Sequence, residues 1–281
     1  MKRLKVRHVT GFHYDGEVTA SYNEARMLPA SADGQLVLSS NIEILPISGQ
    51  NNYVDYWGTR VSSFEVLTPH RELSLTATSL VEVRPRPHPE VRLDWETLAD
   101  RIDAATEFVE QLGQTPRTRP PREVVELASE LVATAETPCD AARAICLAIG
   151  DRIEYMSGVT GVHTTAEEAW EHRKGVCQDI THLAIGALRS AGIPARYVSG
   201  YLHPKPDAEI GQTVTGESHA WVEWFCGSWH GFDPTNSIEI GDRHVTVGRG
   251  RDYNDVAPLR GVYAGPYGSK LFVTVEITRE A

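Results

Sequence analysis

Residues 173–201 read RKGVCQDITHLAIGALRSAGIPARYVSGY. Ile180, Leu183, Ala184, Ala187, Leu188 and Ala191 recur at helical spacing on one face, and Gly192 and Pro194 supply a stop. Cys177 stands at the first turn of this predicted helix. Unpaired backbone N–H groups and the helix dipole favour negative charge there, so a thiol at that place is biased towards its thiolate. The competing use of a cysteine there is as a small buried hydrophobe. Position alone leaves both readings open.

A thiol nucleophile needs a base, and the base needs an orienting acceptor. Downstream, GESHAWVEWF places His219 at the start of a strand-like run, and SWHGFDPTN places Asp233 at the end of the next, before a proline turn. Two neighbouring antiparallel strands would bring these side chains together on one face. An aspartate before a turn proline also commonly caps that turn, and a histidine on a strand is often structural.

The rest of the chain divides by pattern. Residues 1–84 are strand-like, rich in β-branched residues that partly alternate, as in LKVRHVTGFHY and LSLTATSLVEVRP. RPRPHPE, residues 84–90, marks an extended linker over about 85–95. Helical segments follow (WETLADRIDAATEFVEQL, PPREVVELASELVATAE, CDAARAICLAIGDRI), and after the Cys177 helix the pattern returns to strands, closing on KLFVTVEIT. The expected organisation is α+β, with a β-rich domain at 1–84 and a catalytic domain at 96–281.

Composition narrows the function. The 281 residues carry 27 Lys and Arg against 38 Asp and Glu, a net charge of −11, which argues against nucleic acid or an anionic membrane as the main partner. Hydrophobic residues make up 41% and charged residues 23%, as in soluble globular proteins. The first residues hold no apolar stretch of signal-peptide length and no run is long enough to span a bilayer, so the expectation is a cytoplasmic protein. Cys139, Cys146, Cys177 and Cys226 are scattered without close pairs, so neither a disulfide framework nor a cysteine zinc site is expected. Cys139 and Cys146 read as packing residues and Cys226 as incidental.

GVCQDITHLAIGALRSAGIPARYVSGYL, ESHAWVEWF, WHGFDPTN and GRDYNDVAPLRG together resemble the bacterial transglutaminase-like superfamily, relatives of papain-type cysteine peptidases. HVTGFHYDGEV, SYNEARMLP, DYWGTRVSSFEV and SLTATSLVEV resemble the β-rich amino-terminal region of the same bacterial proteins. The resemblance implies a papain-like catalytic domain preceded by a β-sandwich-like domain. It also implies a triad of Cys177 as nucleophile, His219 as base and Asp233 as orienting acid. The implied reaction is acyl transfer on a glutamine side chain, peptide or small amide through a thioester, needing no cofactor. It ends in hydrolysis or transfer to an amine, with hydrolysis the favoured outcome. An inactive binding or scaffold protein with the same fold is the alternative.

The oxyanion would be met by the Cys177 backbone N–H, with Tyr155 and Gln178 as side-chain candidates. Asp252 and Tyr253, in the GRGRDY loop, and Trp221 are the candidate substrate contacts. His182 reads as structural. There is no H-E-x-x-H, and no metal site is expected. Glu217 and Glu223 are the carboxylates nearest the GESHAW run, and neither forms an obvious lysine-binding cluster.

Overall fold

The computed structural model describes residues 1–32, 34–85, 92–216 and 218–281, so most of the predicted linker and Glu217 lie outside the described residues. Six strands open the chain: β1 (Lys2–Val18), β2 (Ala20–Ala25), β3 (Gln35–Leu45), β4 (Gly49–Val54), β5 (Arg60–Val66) and β6 (His70–Val83). In β6 the alternate residues Leu73, Leu75, Ala77, Ser79, Val81 and Val83 are buried, the period-two pattern of a pleated strand with one face on a core. Helices α1 (Trp95–Asp103), α2 (Val109–Leu112), α3 (Arg122–Thr134) and α4 (Pro138–Gly150) follow, then β7 (Glu154–Tyr155), α5 (Ala166–His172), β8 (Lys174–Gly175) and α6 (Cys177–Ser190). The remainder is β9 (Ala195–Leu202), β10 (Thr213–Gly216), β11 (Ser218–Phe225), β12 (Trp229–Asp233), β13 (Ile238–Glu239), β14 (His244–Gly250), α7 (Tyr253–Val256), β15 (Leu259–Ala264) and β16 (Ser269–Arg279). The fold class is α+β, as the order of patterns predicts.

Helix α6 lies at the centre of the half built from the helices and the β13-β12-β11-β9-β14 sheet. Its apolar residues pack with Val124 and Ala128 of α3, Ile145 and Ile149 of α4, Trp170 of α5, and Tyr197, Ala220 and Val222 of the sheet β13-β12-β11-β9-β14. Sequence periodicity describes one apolar face, yet Gln178, Asp179, Thr181, His182 and Arg189 are buried as well. Helices cover one side and the sheet covers the other, so polar positions are enclosed and must find partners. Arg189 does so by donating to the carbonyls of Gln111, Gly113, Ala195 and Arg251. The helix ends where Gly192 turns to φ +74°, with Ile193 N–H donating to Leu188 C=O and Gly192 N–H to Arg189 C=O, a Schellman stop.

The sheets do not follow the boundary read at residue 84. Strand β16 pairs antiparallel with β1, β15 pairs with β2, and β10 pairs with β16. One sheet therefore runs β10-β16-β1-β6-β3 and a second β15-β2-β5-β4, joined face to face through Tyr14, Val18, Phe64, Val66, Leu73 and Leu75. The 17 residues of β1 exceed what one sandwich needs. Leu4 and Val6, with Val275 and Ile277 of β16, pack instead on Tyr201, Val245 and Val247 of the β13-β12-β11-β9-β14 sheet.

One correction concerns the cysteines. Cys139 of α4 and Cys226, just past β11, form a disulfide with their Cα atoms 5.7 Å apart. They are 87 residues apart in sequence, and only the packing of α4 beside the sheet brings them together, which spacing in the chain does not reveal. Cys146 stays free and fully buried, and burial pushes its thiol up.

Candidate active site

Cys177 is the first residue of α6 and is partly buried. The turn before it is held by Asp179, whose Oδ2 accepts the Val176 N–H at 2.8 Å and the Thr160 hydroxyl at 2.7 Å. Burial pushes the Asp179 carboxyl up, against those two bonds. The first-turn N–H groups of a helix have no intrahelical acceptor, so Cys177 stands where negative charge is met by donors.

His219 and Asp233 sit on β11 and β12, which pair antiparallel with Val222 opposite Phe232. That register makes them diagonal neighbours on one face, within reach of each other. His219 Nε2 lies 2.7 Å from Asp233 Oδ2. Asp233 is fully buried. Its Oδ1 accepts the N–H groups of Thr235 (3.0 Å) and Asn236 (3.2 Å), and its Oδ2 accepts Asn236 Nδ2–H at 2.7 Å. Oδ1 of this aspartate thus caps the turn, while Oδ2 is shared by the imidazole and Asn236. Burial pushes the Asp233 carboxyl up, but the bonds from His219, His244 and Asn236 outweigh it and hold the group well below the usual carboxylate range. Burial likewise lowers His219, yet Asp233 and Cys177 raise the imidazole to about 10, so it is an imidazolium at neutral pH.

Cys177 and His219 line one cleft of about 280 Å³. Gln178 and Tyr253 line it too. Tyr253 is set by His182, whose Nε2 accepts its backbone N–H at 3.2 Å; His182 is fully buried, and burial with Arg117 and Arg189 lowers it to about 3. The other candidates stand elsewhere. Tyr155 is 51% exposed on the short strand β7 and is not among the cleft residues. Asp252 is buried and caps α7, accepting the Asn254 N–H at 2.7 Å. Trp221 is fully buried, packed with Val198 and Ile240, its ring centroid 6.3 Å from that of His219. Two positions along the strand, it shares the face of His219.

Three contributors escape the sequence reading. Asn236 braces Asp233, and its only signal is its place in DPTN, where a turn returns the side chain to the aspartate. His244 Nε2 approaches Asp233 Oδ2 at 3.6 Å from β14. Tyr197 of β9 lines the cleft beside Cys177; burial, with Cys177 next in weight, keeps its hydroxyl protonated. The opposite wall comes from the amino-terminal sheet: His8 and Thr10 of β1, with Leu271 and Val273 of β16. A larger concavity of about 690 Å³ on the β15-β2-β5-β4 sheet shares no residue with this cleft.

Residues 125–234, which include Cys177, His219 and Asp233, match the Transglutaminase-like superfamily, and residues 4–82 match the Bacterial transglutaminase-like N-terminal region. The chain is 43% identical to an uncharacterized protein of Mycobacterium leprae, covering 100% of both. It is 33% identical to an uncharacterized protein of Mycobacterium tuberculosis, covering 98% of this chain and 92% of that one. Among solved structures it is similar in fold to a "Putative Cysteine Protease from Cytophaga hutchinsonii", with a TM-score of 0.79 and 21% identity over 100% of this chain and 91% of that chain. A cysteine at a helix start facing a histidine–aspartate pair, two family matches in order and relatives along the full length agree: the chain belongs to the transglutaminase-like superfamily.

Proposed function

We propose that this protein is a cysteine-dependent acyl-transfer enzyme that hydrolyses an amide or isopeptide bond. The observation carrying the reading is the His219–Asp233 contact of 2.7 Å in the cleft that also holds Cys177 at the start of α6. An imidazolium beside a thiol favours the thiolate. The Cys177 sulfur attacks the amide carbonyl, forming a C–S bond. The tetrahedral intermediate collapses by breaking the C–N bond, and the amine leaves with the proton His219 supplies. Water then attacks the thioester, giving its proton to His219, and the thiolate is released. The Cys177 backbone N–H meets the oxyanion, with Gln178 and the Tyr197 hydroxyl as the side-chain donors in the cleft.

Hydrolysis is favoured over capture by an amine on electrostatic grounds. A lysine acceptor needs a carboxylate to receive its ammonium before deprotonation. Glu223 is buried and clasped by Arg196 at 2.6 Å and Arg249 at 2.8 Å, and no Asp or Glu is among the described residues lining the cleft. The test offers glutamine-containing peptides with and without a millimolar primary amine and reads products by mass. Hydrolysed product dominating in both arms supports the reading. Product that gains the amine, with little hydrolysis, overturns it in favour of a transglutaminase, and no product with a Cys177 that resists alkylation leaves the fold as an inactive scaffold.

A further inference from the structure

The wall that β1 and β16 give the cleft contains a polar side chain with no part in the chemistry above. His8 is 2% exposed. It follows Leu4 and Val6 on the inner face of β1, so the pleat that buries those residues against the catalytic sheet carries His8 and Thr10 on to the cleft. His8 Nδ1 lies 2.9 Å from the Tyr201 hydroxyl, which donates to the Met27 carbonyl at 3.3 Å. A hydroxyl has one proton, so both bonds form together only when Nδ1–H donates to the Tyr201 oxygen, and Nε2 is then a bare acceptor. Nε2 is buried without a hydrogen-bond partner, a state that costs free energy until a donor arrives. Burial also lowers the imidazole to about 4, so it is uncharged at neutral pH.

The surroundings restrict what that donor belongs to. Val162, Val176, Leu259, Leu271 and Val273 are apolar, and no Lys, Arg, Asp or Glu is among the described residues lining the cleft. Beyond the Cys177–His219 pair, whose charges offset each other, nothing there compensates a charged group for its lost hydration. An apolar peptide segment gains from burial, and its backbone N–H groups are donors that must themselves be satisfied.

We infer that His8 Nε2 accepts a hydrogen bond from a backbone N–H of the substrate, and that the substrate is an uncharged, apolar peptide segment held between the catalytic sheet and the β1–β16 wall. This rests on the reading of Cys177 as an acyl-transfer nucleophile. His8 is then a specificity-determining residue contributed by the amino-terminal region, without a part in bond making or breaking.

The probes are acetyl-Val-Leu-Gly vinyl sulfone, the same peptide with Lys or Asp in place of Leu, and versions with each backbone N–H methylated in turn. Labelling of Cys177 is followed by mass on the whole protein. The neutral peptide is expected to label at least about tenfold faster than either charged one, and one methylation to slow it about tenfold, the effect of one buried hydrogen bond. In H8F that methylation ratio collapses to about one, and in H8Q, which offers an acceptor oxygen, it recovers. Equal labelling by the Lys or Asp peptide, or no sensitive position in the wild-type protein, overturns the inference without any variant having to fold. Iodoacetamide separates the two levels: selective labelling of Cys177 without a methylation effect overturns this inference alone, and absence of selective labelling overturns both.

Discussion

Replacing Asp233 with asparagine removes one charge from the site while keeping its shape, and the structure sets the size of the effect. Burial alone lowers His219, yet with Asp233 and Cys177 beside it the imidazole rises from 6.5 to about 10. That rise corresponds to about 5 kcal/mol in favour of the imidazolium, as an order of magnitude. In D233N only Cys177 is left to oppose burial, and the His219 midpoint is expected to fall well below its wild-type value. An amide can also present its NH₂ to Nε2 and reverse the tautomer, so turnover should fall by about 10³–10⁴. Stability follows with opposite signs for the two partners. The raised His219 contributes stability that is complete below 6.5 and lost as pH rises through about 10. The depressed Asp233 contributes stability that is complete above its ordinary 3.8 and lost as pH falls below it. The loss of unfolding free energy in D233N should therefore be greatest at about pH 4–6.5 and shrink towards pH 10. The assays are an NMR titration of the His219 ring, the pH profile of Cys177 alkylation and urea unfolding across that range. A His219 midpoint identical in wild type and D233N would refute the account, because it would mean that Asp233 does not supply the field.

Three further outcomes follow from named contacts. Iodoacetamide without reductant should modify Cys177 alone, even below pH 7, because Cys146 is buried and Cys139 and Cys226 are joined; equal labelling of other cysteines in a peptide map would contradict this. N236A removes the Nδ2–H bond to Asp233 (2.7 Å), a bond to a buried carboxylate worth about 1.5–3 kcal/mol, and should slow alkylation at pH 6 about tenfold with little change at pH 9. G186A drives a Cβ into the Thr118 carbonyl oxygen and should cost about 1–3 kcal/mol of stability, seen as a lower urea midpoint; an unchanged midpoint would mean that α6 does not approach residue 118 so closely.

Much of this architecture is legible in the chain because its signals are local. The alternation of β6, the periodicity and stop of α6, and the turn after Asp233 are each set by residues within a few positions of one another. What escaped depends on partners distant in sequence. KLFVTVEIT reads as a strand, but nothing in it says that its neighbour is β1, with Thr10 opposite Val273 and Phe12 opposite Leu271. The Cys139–Cys226 pair is hidden for the same reason. So is the role of the first strand at the cleft, since His8 reads as one more alternating position until the sheet is laid against Tyr201.

The positions of Cys177, His219 and Asp233 were readable for a different reason, which explains why their neighbours were not. Cys177 follows from helix placement, and His219 and Asp233 follow from two short strands joined by a tight turn, so each is anchored to an element whose boundaries the sequence marks. Tyr197 and His244 are on strands as well, but strand residues declare only a face, and the object on that face is fixed by sheet order, here β12-β11-β9-β14. That order puts β9 beside β11, so Tyr197 stands across from Val222 and reaches the cleft from the far side of the histidine strand. It puts β14 beyond β9, from where His244 comes within 3.6 Å of Asp233. The groups proposed to react are thus anchored where the chain turns or caps, and the groups around them stand on strands whose order only the folded sheet defines.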